Sequence, residues 1–194
     1  MTVRKNEIFG LIKTAVDAHT MGIHAAAALL RDCGYHVVIS SENIGHAMES
    51  IYAESSQKKV LKWIDDNNIS RIGFSYRLDP DNAVELMGRL YHTLESNGYY
   101  ASPNPKIKSI FFAGLLPACK KINEEYSGRI STFCGGESAE ETLLVMGVPF
   151  EDIPKEIKQG CQYDKELEKF GKKIIEEGKY SSLKSPERNL YRKR

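Results

Sequence analysis

Five short runs of apolar and β-branched residues, each followed by a segment with helical periodicity, constrain this chain more than any other feature. The runs occupy residues 8–16, 35–39, 69–75, 107–113 and 130–134. Strands buried on both faces read as near-continuous apolar stretches, and their alternation with helices calls for right-handed crossovers between parallel strands. The expected fold is therefore α/β: a doubly wound, flavodoxin-like, five-stranded parallel sheet in three α/β/α layers.

The intervening segments fit that layout. Ile23, Ala26, Ala27 and Leu30 share one face of a first helix, and Gly34 stands where a left-handed residue would end it. The run of small alanines from Ala25 to Ala28 permits close approach to the sheet or to a ligand. Asn43 to His46 reads as a loop, with one or two helical turns over residues 47–53. A second helix begins at Ser56, with Val60, Leu61 and Ile64 on one side. Val84, Met87, Leu90, Tyr91 and Leu94 recur at i, i+3 and i+4, which predicts a third over residues 83–96 after a capping turn at 78–82. Pro117 suits the first turn of a fourth. Ser138 and Glu141 form a capping box for a fifth.

Past Pro149 the composition shifts to lysine and glutamate, so residues 1–150 read as the α/β domain and 151–194 as a helical extension with a basic tail. Leu167, Phe170, Ile174 and Ile175 make a narrow apolar stripe suited to lying on the core or on a partner. Twenty-seven Lys and Arg against 26 Asp and Glu leave a net charge of +1, too little for a field that recruits nucleic acid. No apolar run approaches the ~20 residues that span a bilayer, and no secretory leader is evident, so the expectation is a cytoplasmic protein. The cysteines Cys33, Cys119, Cys134 and Cys161 contain no C-x-x-C pair, which argues against zinc or a disulfide framework.

The chemistry concentrates in residues 16–24. Asp17, His19 and Gly22 fall at the turn between the first strand and the first helix, at the end of the sheet where ligands of such folds bind. Imidazole is the commonest protein nitrogen ligand for transition metals, and a ligating histidine usually donates its other N–H to a carboxylate. Asp17 is the natural donor of that carboxylate, and Gly22 lets a bulky ligand pass close to the helix start. His24, His36, His46 and His92 have no partner pattern. The chain has no G-x-S-x-G, Walker loop or G-x-G-x-x-G. Cys134 has no base beside it, and Glu140 and Glu141 read as helix N-terminal charges.

Asp17-x-His19-x-x-Gly22 resembles the signature of cobalamin (vitamin B12)-binding domains, and the resemblance covers most of residues 8–146. It implies that His19 ligates cobalt from below in place of the cofactor's own base. It also implies that Ser75, at the end of the third strand, bonds Asp17. The family's Ser-x-Leu becomes Ser75-Tyr76-Arg77 here, a departure that leaves Arg77 to meet a cofactor amide or phosphate. The family's later Gly-Gly lines the slot for the nucleotide tail. Gly135-Gly136 matches it in letters and Ala113-Gly114 in strand order, so Gly135 and Gly136 are assigned to the tail with Gly114 nearby.

By resemblance, the chain holds methyl- or adenosylcobalamin base-off for a catalytic partner subunit or domain. The chemistry would be methyl transfer, radical rearrangement or a B12-dependent radical-SAM reaction, with no catalytic residue on this chain. The alternatives are a self-contained flavodoxin-like enzyme binding a flavin or nucleotide without cobalt, and a cobalamin-dependent regulatory protein.

Overall fold

A computed structural model describes residues 2–178; the basic tail singled out in the sequence lies outside the described residues. In chain order the elements are β1 (Ile8–Lys13), α1 (Met21–Asp32), β2 (His36–Ile39), α2 (Glu42–Glu49), α3 (Glu54–Asp66), β3 (Arg71–Tyr76) and α4 (Pro80–Ser96). They continue with β4 (Ser109–Gly114), α5 (Leu116–Tyr126), β5 (Ile130–Phe133), α6 (Ala139–Val145), a 3-10 turn (Phe150–Asp152) and α7 (Lys155–Glu176). The five strands form one sheet in the order β2-β1-β3-β4-β5, every neighbouring pair parallel. This is the flavodoxin-like α/β fold. Its order reverses between β1 and β3, so the chains leaving those strands diverge to open a crevice.

The register separates two unlike faces. Ile12, Phe74 and Phe112 pair across three strands and point to one side. There they meet Met48 and Ile51, Val60 and Ile64 of α3, Met87, Leu90 and Leu94 of α4, and Ile122 of α5, all fully buried. Leu11, Gly73 and Phe111 pair across the same strands and face the other way. The first face holds the main core; the second is where the site lies.

The local signals are met where they can be checked. Asp79 accepts the Asn82 N–H at 2.7 Å and caps α4. Ser138 and Glu141 complete the capping box of α6 at 3.2 and 2.9 Å. Gly34 follows α1 at φ +80°, a conformation open to glycine at little cost.

Two expectations are corrected. β1 ends at Lys13 rather than at Val16, because the chain turns away there; Val16 is 62% exposed and its N–H donates to Glu49 Oε1 at 2.8 Å. Residues 43–46 are not a loop but lie within α2. Gly45 inside that helix costs about 1 kcal/mol relative to alanine by propensity. A Cβ there would meet the Ala15 nitrogen at 2.9 Å and the Lys13 carbonyl at 3.0 Å, so the glycine is what lets α2 press against the chain leaving β1.

The chain divides into two compact units, the first ending at Pro154 and the second beginning at Lys155. Within the second, α7 exposes Tyr163, Leu167, Phe170 and Ile175. Among the described residues no helix is long and apolar enough to cross a membrane.

At the amino edge of the sheet a charged cluster is buried. Arg71 and Glu7 are 1% and 5% exposed and meet through Nε and Oε2 at 2.7 Å. Arg71 also donates to Ser109 Oγ and the Thr2 carbonyl, and Lys108 Nζ lies 2.5 Å from Glu7 Oε1. Burial pushes the Glu7 carboxyl up, but the hydrogen bonds and charges of Lys108 and Arg71 outweigh it and hold the group below its ordinary value of 4.5. Removing one member of such a pair strands the other charge in the interior. Glu7→Gln is therefore expected to lower the unfolding free energy by about 3–5 kcal/mol in urea titrations at pH 7. Because the folded-state value is depressed, this contribution is present above pH ~4.5 and lost as pH falls through the folded value. The wild-type advantage should shrink in melts taken at progressively lower pH.

Candidate functional site at the carboxyl edge of the sheet

Between Lys13 and Met21 the chain forms a turn organised by one carboxylate. Asp17 is 1% exposed. Its Oδ1 accepts the His19 backbone N–H at 2.9 Å and the His19 ring at Nδ1 at 2.7 Å. Its Oδ2 accepts the backbone N–H of Arg77, just past β3, at 2.9 Å. Burial alone would raise the Asp17 carboxyl; the N–H groups of His19 and Arg77 and the imidazole outweigh it and hold the group below its usual 3.8. The carboxylate thus stays ionised and ties the turn after β1 to the end of β3.

The same bond sets the histidine. With Nδ1–H donated to Asp17, the neutral ring carries its lone pair on Nε2. The imidazole is 58% exposed, so that nitrogen is accessible. Only one residue separates the buried acid from the presented base.

Beside His19 opens a cavity of about 610 Å³. Leu11, Gly73, Ser75, Phe111, Ala113 and Phe133 form its floor. Ala25, Ala26 and Leu29 of α1 form one wall, and Ala139, Thr142 and Met146 on and just past α6 the other. Interiors are close-packed, so a space of this size beside a sheet needs an explanation. Small side chains supply it: glycine and alanine stand on the floor and alanines on the α1 wall. Exposed apolar residues follow the strand ends at the same edge, with Met21 87%, Leu116 51% and Leu78 43% exposed.

The structure brings together most of the residues singled out in the sequence. His19, Gly22, Ser75, Gly114 and Gly135 all line the cavity, with Asp17 buried behind His19. Gly22 has open space where a Cβ would stand, so nothing in the chain itself requires a glycine there. At Gly114 a Cβ would come within 2.9 Å of the Tyr76 carbonyl and closer still to the Phe112 ring. Gly135 and Gly136 adopt φ +93° and +98°; the first lines the cavity and the second adjoins it. The two competing glycine sites end at one place because β4 and β5 are neighbours. Ser75 is 8% exposed, but Asp17 bonds to the Arg77 backbone N–H instead of to the serine hydroxyl.

The sequence reading missed Glu137. Its two oxygens accept the N–H groups of Cys134 and Gly135 at 3.0 and 2.9 Å, folding the glycine turn back on itself. The signal was present as an acid directly after Gly-Gly, a pattern suited to capturing free backbone donors. The α6 wall carried no signal beyond its capping box. His24, His36, His46 and His92 do not line the cavity. Among the described residues no three His, Cys, Asp or Glu side chains are grouped to hold a metal ion.

Compared with known proteins, the chain matches no family model and no curated protein.

If Asp17 positions His19, Asp17→Asn should disturb the turn without emptying the main core. An amide places N–H donors against N–H donors, with an expected cost of about 1–3 kcal/mol in denaturant. The same variant should lose the protected Nδ1 proton of His19 in histidine-selective NMR, while signals from the opposite sheet face stay in place.

Proposed function

We propose that the chain is a corrinoid-binding module that receives cobalamin with His19 as the protein ligand to cobalt. One observation carries the reading: an accessible imidazole nitrogen, oriented by a buried carboxylate, stands at the mouth of a large, mostly apolar cavity. A lone imidazole suits a metal that arrives with ligands of its own. Cobalt in a corrin is such a metal, and neutral imidazole is a nitrogen donor it accepts.

The residues present fit the group. Asp17 and His19 supply an oriented donor, and Gly22 leaves the approach over the start of α1 open. The cavity behind, floored by Gly73 and Ala113 and walled by Ala25 and Ala26, offers apolar space for the nucleotide tail, with Ser75, Gly114 and Gly135 along it. Met21 and Leu116 extend the apolar surface outward. The bound cofactor supplies cobalt–carbon bond chemistry, and the chain's own part is to bind, orient and shield it. A catalytic partner subunit or domain would act on the opposite face, as in methyl transfer, radical rearrangement or radical-SAM chemistry. The same cavity would also admit a flavin or nucleotide without cobalt, and the test below separates the two.

Purified protein titrated with hydroxocobalamin should bind it with a change in the visible spectrum as imidazole coordinates. His19→Ala should bind at least about tenfold more weakly and lack that change, because one charge-neutral ligand bond and its orientation are lost. Ala26→Trp, at a half-buried position, should block uptake by filling the cavity while leaving the thermal melt nearly unchanged. A His19→Ala spectrum identical to wild type would sink the cobalt-ligand assignment, and so would wild-type protein that takes up flavin but no corrinoid.

A further inference from the structure

The cavity lining contains one guanidinium, that of Arg77, with no hydrogen bond or ion pair among the described residues. Arg77 follows β3 and is half-buried. Its backbone N–H is committed to Asp17, but among the described residues its guanidinium has no hydrogen bond and no ion pair. Nη2 lies 3.4 Å from where a Cβ on Gly135 would be, so the head group reaches across the cavity mouth from the end of β3 to the turn after β5. Glu137 is the carboxylate in the same lining; no ion pair joins it to Arg77, and its two oxygens accept backbone N–H groups of its own turn. Several other basic groups are ion-paired, as with Arg71 and Glu7, Lys121 and Asp81, or Arg89 and Glu85. A half-buried guanidinium with no bonded partner beside a cavity has its full set of N–H donors to offer.

We propose that Arg77 receives a phosphate ester of the ligand, at the mouth of the cavity, while the ligand's flat apolar end lies against Gly73, Ala113 and Ala26. A guanidinium presents a planar fork of donors that matches two phosphate oxygens at once. The cavity divides in the same sense, apolar on its floor and with the Arg77 guanidinium at its rim, which suits a nucleotide entering base first. The assignment rests on the corrinoid reading for the carrier of the phosphate, and adds to it a residue that discriminates between corrinoids with and without the nucleotide loop. Gly135 serves the same end: its positive φ and missing side chain leave the guanidinium uncovered on that side.

The test compares hydroxocobalamin, whose nucleotide loop carries a phosphodiester, with cobinamide, which lacks phosphate and base. Arg77→Leu should weaken hydroxocobalamin binding about tenfold, the loss of one charge-assisted contact, and leave cobinamide binding within twofold of wild type. Arg77→Lys, which keeps the charge but not the fork, should fall between the two and guards against a folding defect in the leucine variant. Equal loss for both ligands, or no loss for either, overturns the assignment. If wild-type protein binds neither corrinoid, the corrinoid reading itself fails, and flavin mononucleotide becomes the probe. A tenfold weakening of its binding by Arg77→Leu then sustains the phosphate assignment, while unchanged or absent binding overturns it.

Discussion

Asp17 is the point on which the candidate site depends. Its carboxylate is buried where the sheet order reverses, and it accepts N–H groups from His19, two positions on, and from Arg77, 60 positions on. Desolvating a carboxylate costs several kcal/mol even after the protein relaxes, and each hydrogen bond to a charged group returns about 1.5–3 kcal/mol. Three such bonds roughly offset the burial. The net gain in stability is small; what the arrangement secures is position. Loops leaving β1 and β3 diverge to opposite faces of the sheet, and one carboxylate holds their near ends together. Without that link, nothing in the turn would hold the His19 ring to one orientation.

The two faces of the sheet divide the labour. On one, Ile12, Phe74 and Phe112 pack into a dense core with α3, α4 and α5. That core holds enough apolar surface for the other face to be left incomplete. On the cavity side, side chains lose the dispersion contacts that a filled interior would give them. A bound apolar group would restore those contacts, and burying its surface adds about 25 cal/mol per Å². For a ligand that fits it, the incompleteness would be a source of affinity rather than a defect, provided the opposite face keeps the sheet intact. Gly73 illustrates the economy. It sits in a central strand, where glycine is ordinarily unfavourable, and a Cβ there would crowd Leu11 at 2.8 Å on the cavity floor.

Much of this was legible in the amino-acid sequence, and the parts that were not share one cause. Strand number, the parallel layout, the caps at Asp79 and Ser138 and the Asp17–His19 pair are local patterns, and local patterns can be read. Of the four alanines from Ala25 to Ala28, two line the cavity, Ala27 is buried and Ala28 is exposed. What failed was long-range. Gly45 looked like a loop residue because its reason for being glycine is the backbone of Ala15, thirty positions earlier. Ser75 was assigned the bond to Asp17, but the backbone of Arg77 makes it, and a backbone donor leaves no trace in side-chain identity. The rivalry between Gly114 and Gly135 was unresolvable in sequence and dissolves once β4 and β5 are seen side by side.

A buried acid holding an exposed imidazole is also the arrangement of a general base, so the surroundings must decide between proton transfer and ligation. A base works on a nucleophile or substrate held within about 3 Å of its free nitrogen. No hydroxyl, thiol or second acid among the described residues is hydrogen-bonded to His19 apart from Asp17. Beyond the ring lie apolar and small residues, with Met21 almost wholly exposed. Such a rim favours a broad apolar ligand seated across the imidazole over a small polar substrate delivered to it. If Arg77 takes a phosphate as proposed, that ligand is constrained further: it should be wide where it meets His19, flat and apolar where it enters the cavity, and anionic between the two.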